Sequence, residues 1–127
     1  MADVAVSTPI VRGQVIEVDL DPVVGHEQGS MRPCIVVQNN AGNRFSSTTV
    51  VVPLTSTSRI GGPSPIYVLI PKGDGGLKRD SIALTDQIRA VDFQRTGRTF
   101  GVLSPATMQK VDLALAISLG LARGRKP

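Results

Sequence analysis

Apolar and polar positions first alternate along residues 14–20 (QVIEVDL), with Ile16, Val18 and Leu20 on one side and Glu17 and Asp19 on the other. A period of two predicts a half-buried strand. Residues 21–32 (DPVVGHEQGSMR) are polar and contain glycine. They predict a loop that is long for a hairpin connection, and long loops in compact domains are often functional. Residues 33–38 (PCIVVQ) and 48–54 (TTVVVPL) are unbroken apolar runs rich in β-branched side chains. Such runs fit central strands covered on both faces. Residues 39–47 (NNAGNRFSS) have the composition of a turn, which makes the two runs a hairpin. A second polar loop follows over 55–64, then a strand over 66–70 and a turn over 71–76 (PKGDGG). Residues 81–85 and 88–92 read as strand segments around Asp86 and Gln87, and 99–103 as a last, short strand.

The period changes only at the end. Ser104 is a good N-cap, and Pro105 stands at the first helical position, where a missing N–H costs nothing. Met108, Val111, Leu115 and Leu119 then form one stripe at helical spacing, while Leu113, Ile117 and Leu121 form a second on roughly the opposite side. A helix apolar on two faces does not lie on its own sheet with its back to water. The second face is expected to pack against another subunit. With no internal repeats, short strands and one terminal helix predict a mainly β fold, a small, strongly bent sheet or SH3-like barrel. The 127 residues make one domain, with residues 1–11 a loose lead-in and 123–127 a basic tail.

Composition narrows the partners. Apolar residues are 41% but aromatics only 3%, so Val, Ile, Leu and Ala must supply the core. The net charge of +4 favours a polyanion or an acidic protein as partner. Cys34 is the only cysteine, which rules out an intrachain disulfide and a structural zinc site. A lone thiol fits a reducing cytoplasm, and its apolar neighbours make it a small buried hydrophobe and not a nucleophile. No run of 18 apolar residues or signal-like N-terminus is present, so a soluble, cytoplasmic protein is expected.

There is no phosphate-binding glycine loop, no GxSxG or HExxH, no metal-cluster spacing, and a single histidine, His26. No cofactor or metal is expected. The remaining chemistry is that of Arg, Thr and one His or carboxylate. RNA cleavage needs little more, because the substrate's 2′-OH is the nucleophile. The protein has to align it, neutralise charge on the phosphate and manage two protons. Arginine presents a permanent charge with paired N–H donors, and threonine adds a neutral hydroxyl. If 33–38 and 48–54 pair as a hairpin, Arg32 and Thr55 come together at one end of it. Among the aromatics, Phe45 lies in a predicted loop and is the candidate for base stacking, while core packing is the expectation for the others.

Three stretches then resemble one family. Gly13 to Val18 (GQVIEV), Asp21 to Gln28 (DPVVGHEQ) and Arg32 to Val37 (RPCIVV) look like the N-terminal signature of the MazF/PemK (Kid) toxins. Val51 to Ser56 (VVPLTS) resembles their second motif and Ile82 to Arg89 (IALTDQIR) their third. The motifs lie in order across nearly the whole chain. The resemblance implies a MazF/PemK-type fold, a homodimer, and metal-independent, sequence-selective cleavage of single-stranded RNA. It also implies a cognate antitoxin with an acidic, flexible segment. Arg32 and Thr55 would be the catalytic pair. His26, Glu27, Gln28, Ser56, Asp86 and Gln87 would contact RNA or assist. Leu84 stands where the PemK/Kid branch has an arginine, so a mechanism using that arginine does not transfer, although His26 matches that branch. A CcdB-type inhibitor of DNA gyrase is the alternative on a similar fold, but it has no need of the Arg-Pro and Thr-Ser pairing. A plain SH3-like binding module ranks last, for want of an aromatic groove.

Overall fold

The computed structural model describes residues 9–59 and 61–122, and of Arg59 the backbone alone. Most of the expected lead-in and all of the basic tail lie outside these residues. Seven strands form one antiparallel sheet: β1 (Gln14–Asp19), β2 (Met31–Val36), β3 (Thr48–Ser56), β4 (Tyr67–Ile70), β5 (Ser81–Leu84), β6 (Arg89–Asp92) and β7 (Thr96–Val102). Their order is β4-β5-β3-β2-β1-β7, with β6 also paired to β3. Two helices, α1 (Asn40–Phe45) and α2 (Pro105–Ser118), complete the fold.

The apolar runs behave as their pattern demands. Ile16 and Val18 of β1 and Leu20 just after it point with Cys34, Val36, Val51 and Val91 into one core cluster. Val15, Ile35, Val52 and Leu54 point the other way, into a second cluster closed by Val111, Ala114 and Leu115 of α2. The central strands are thus buried on both faces.

The small, strongly bent sheet expected from the pattern is the one formed, and its edges, β4 and β7, are not hydrogen-bonded to each other. The turn after β4 lies against β7 instead. A Cβ on Gly76 would come 2.1 Å from the carbonyl oxygen of Phe100, and one on Gly101 would come 2.8–2.9 Å from the backbone of Gly75 and Gly76. Two glycine backbones meet where a side chain would hold the edges apart.

Residues 39–47 depart from the turn expected there. Asn39 caps α1 by accepting from the Gly42 N–H at 2.7 Å. Asn43 is buried, donating to the Gln38 carbonyl and accepting from the Thr49 hydroxyl. An asparagine serves turns and N-caps equally well, and only these tertiary partners decide between them. β7 starts three residues earlier than expected, because its exposed, polar edge carries no alternation of hydrophobicity.

Helix α2 starts as predicted, with the Ser104 hydroxyl accepting from the Thr107 N–H. It stops at Gly120 (φ +76°), where Gly120 and Leu121 N–H groups return to the carbonyls of Ile117 and Ala116. That is a Schellman close. Leu119, expected in the buried stripe, lies past the last turn and is half exposed.

Asp74, in the turn after β4, accepts from the Ser104 N–H at 2.8 Å and from the Ser104 and Thr107 hydroxyls. Its partial burial raises the carboxyl pKa. The bonds from Thr107, Ser104 and Gly75 outweigh that and bring it below 3.8. A depressed pKa contributes stability above the ordinary carboxylate value, and the contribution is lost as pH falls through the lower folded value. Asp74→Asn is therefore expected to lower stability by about 1 kcal/mol at neutral pH, as for loss of a helix cap. The stability difference between the two proteins should shrink as pH falls below the ordinary carboxylate range.

Candidate functional site

The site is built on the register of β2 against β3. Cys34 pairs with Pro53, Ile35 with Val52 and Val36 with Val51. Counting two residues further places Arg32 opposite Thr55, and both side chains line one depression of about 370 Å³. The expected pair is brought together. Arg32 lies within β2, not at the end of a loop, and Thr55 lies within β3, paired to Ile82 of β5.

Their polar surroundings differ. Arg32 Nε donates to the Gly29 carbonyl at 2.7 Å. With the Gln28 amide oriented so that its oxygen faces the guanidinium, that oxygen accepts from Arg32 Nη2 at 2.7 Å. The Gln28 N–H in turn donates to Gln87 Oε1 at 2.6 Å. Thr55 is 4% exposed, and its hydroxyl oxygen is shielded from solvent with no hydrogen-bond partner. Buried polar groups are rarely left so.

The remaining predicted residues divide. Ser56 lines the same depression, its hydroxyl 2.7 Å from that of Ser58. Glu27, Gln28, Asp86 and Gln87 line a second depression, of about 400 Å³, with Pro53 and Arg89. Asp86 and Gln87 reach it because β5 and β6 both pair with β3 but are separated by the 3₁₀ turn Thr85–Gln87. Glu27 also closes its own loop, accepting from the Val24 N–H at 2.7 Å. His26 is exposed in that loop and lines neither depression. The loop itself is pinned by Arg89 and Arg95, which donate to the carbonyls of Leu20 and Asp19.

Cys34 is the buried hydrophobe expected. Burial raises its thiol pKa to about 12 against the opposing pull of Arg89 and Arg32, so it stays protonated. Phe45, the expected stacking residue, is 85% exposed at the end of α1 and lines neither depression. Sequence reasoning missed Lys78, Arg79 and Arg98, which with Arg32 give the first depression four cations and no carboxylate in its lining. The Lys78-Arg79 pair beside the glycine turn was the only local signal. Arg98 had none, because only the folded sheet brings β7 to this place.

This arrangement has relatives. Residues 11–119 match the family of PemK-like, MazF-like toxins of type II toxin–antitoxin systems. The endoribonuclease EndoA of Bacillus subtilis (strain 168) is 46% identical over 110 residues, which cover 87% of this chain and 94% of that protein. An endoribonuclease solved in complex with its cognate antitoxin, from a mycobacterial species, superposes with a TM-score of 0.74 at 32% identity. That match covers 91% of this chain and 99% of the other. MazF (form I) of Deinococcus radiodurans gives a TM-score of 0.76 at 26% identity, covering 89% and 98%. On its matched sequence and its fold, the chain belongs to the PemK-like, MazF-like toxins of type II toxin–antitoxin systems.

Proposed function

We propose that this chain is an endoribonuclease toxin that cuts single-stranded RNA at a phosphodiester held between Arg32 and Thr55. The observation that carries the reading is the convergence of a fixed guanidinium and an unpartnered buried hydroxyl in one cationic depression. The names of the relatives support the same activity.

In the proposed reaction the substrate's 2′-oxygen bonds to phosphorus, losing its proton, as the bond from phosphorus to the 5′-oxygen breaks and that oxygen takes up a proton. The products are a 2′,3′-cyclic phosphate and a 5′-OH. Arg32 neutralises the charge that grows on the non-bridging oxygens, and the Thr55 hydroxyl donates a further hydrogen bond to them. No metal is called on for any of these steps. Glu27, Gln28, Asp86 and Gln87 offer donors and acceptors to base edges in the second depression, which is the source of sequence preference. The antitoxin, of the kind solved with MazF in Deinococcus radiodurans, would neutralise the toxin by laying an acidic segment over Arg32, Lys78 and Arg79. The second stripe of α2, with Leu113 59% exposed, is the face of a homodimer.

Purified protein in EDTA should cut a long mixed-sequence RNA and leave cyclic phosphate and 5′-OH ends. Arg32→Ala should reduce the rate by about 100-fold or more while leaving the circular dichroism spectrum unchanged. Undiminished cleavage by that variant defeats the assignment. A growth arrest that survives loss of both Arg32 and Thr55 would point instead to an inhibitor of the CcdB kind.

Thr55→Val separates activity from stability. It removes an oxygen with no partner, so stability should be unchanged or higher by about 1 kcal/mol, while cleavage falls. A clear loss of stability would mean that the hydroxyl has a structural bond.

Leu113→Glu tests the subunit contact. Light scattering should show a dimer for the parent chain, and a dissociation constant raised by at least about tenfold for the variant. A parent chain that is monomeric at tens of micromolar would refute it.

A further inference from the structure

One wall of the depression that holds Arg32 and Thr55 is made by β7, through Arg98 and Phe100. A break in the register of β7 on β1, where Val15 faces Gly101 and Ile16 faces Thr99, leaves Phe100 as the extra residue, and Arg98 Cζ sits 4.8 Å from the centroid of its ring. Phe100 is half-buried and packs against the core beneath α2. Its backbone is braced by the Gly76 contact described above. The ring is therefore fixed. Arg98 is exposed, and among the described residues no carboxylate pairs with it.

A guanidinium resting on an aromatic ring is a flat cation with one side covered and the other open. Unstacked RNA bases are bound by laying them on aromatic rings or on guanidinium planes. Lys78 and Arg79 line the same depression and supply charge for a backbone phosphate beside such a base. A flat cationic shelf next to phosphate-binding charges matches a nucleotide.

We propose that Arg98, held on Phe100, is the platform for the base of a nucleotide flanking the scissile phosphate, with Lys78 and Arg79 taking that nucleotide's phosphate. The ligand class rests on the ribonuclease reading. Arg98 acts in binding, while Arg32 and Thr55 act on the reacting phosphate. The platform is sequence-tolerant, since every base has a π face.

The test uses a fluorescent RNA oligonucleotide centred on a site mapped with the parent chain, and a series in which each flanking nucleotide in turn is abasic. One abasic position should cost the parent chain roughly tenfold in kcat/KM, the usual worth of one stacked base. Arg98→Ala should lose about as much on the intact RNA, with the loss falling on KM, and should no longer respond to that abasic position. Arg98→Lys keeps the charge without the plane. It should retain the salt dependence of KM and yet be as blind to the abasic position as Arg98→Ala. Phe100→Leu, which keeps the core filled, should give an intermediate loss. An Arg98→Ala protein with the parent's KM and the parent's abasic profile overturns the platform and leaves the ribonuclease reading intact. A parent chain that cuts no RNA overturns both.

Discussion

The meeting of Arg32 with Thr55 follows from the register of β2 on β3. Ile35 and Val52 enter one core cluster, while Cys34, Val36 and Val51 enter the other. A slip of one residue would exchange the faces of a strand and send each apolar set to the wrong cluster. Burying one Val or Ile is worth about 1.5–3 kcal/mol, and all five of these side chains are fully buried. The orphan hydroxyl of Thr55 costs about 1–3 kcal/mol. The core term is several times larger, so the strands hold their register and Thr55 stays where it is, unsatisfied.

Arg32 is held differently. Two acceptors, the Gly29 carbonyl and the Gln28 amide, face its donors from the loop that precedes β2. Gln28 is tied by its own N–H to Gln87, across the molecule in the turn between β5 and β6. The guanidinium therefore takes its direction from two segments distant in sequence. A substitution in the Thr85–Gln87 turn is felt at Arg32 through a single intermediate residue.

Much of this could be read from the residues alone. The β-branched runs define the central strands, Ser104-Pro105 defines the start of α2, and hairpin pairing puts Arg32 beside Thr55. What escaped has physical reasons. Asn39 satisfies a helix as readily as a turn, and its choice is made by the buried bonds of Asn43. Thr96–Val102 is an edge strand whose polar side chains face water, so it has no period to detect. Arg98 and Phe100 reach the depression only through the pairing of β7 with β1 and the glycine contact with the turn after β4. Phe45 was the stacking candidate because it lies in a predicted loop, but the exposure it has there does not bring a ring to the site.

The two depressions differ in charge, and the difference sorts the parts of a strand. One is lined by Arg32, Lys78, Arg79 and Arg98, the other by Glu27 and Asp86 beside two amides and Arg89. Carboxylates repel a phosphodiester but accept well from the amino groups of bases. On the ribonuclease reading, phosphates settle in the first hollow and base edges in the second. Gln28 lines the second and bonds to Arg32 in the first, so it touches both halves of the substrate problem. A base that displaced the Gln28 amide would take one of the two acceptors that aim Arg32, leaving the Gly29 carbonyl, and one that left it in place would keep both. On that reading, selection of sequence and readiness for cleavage share one side chain.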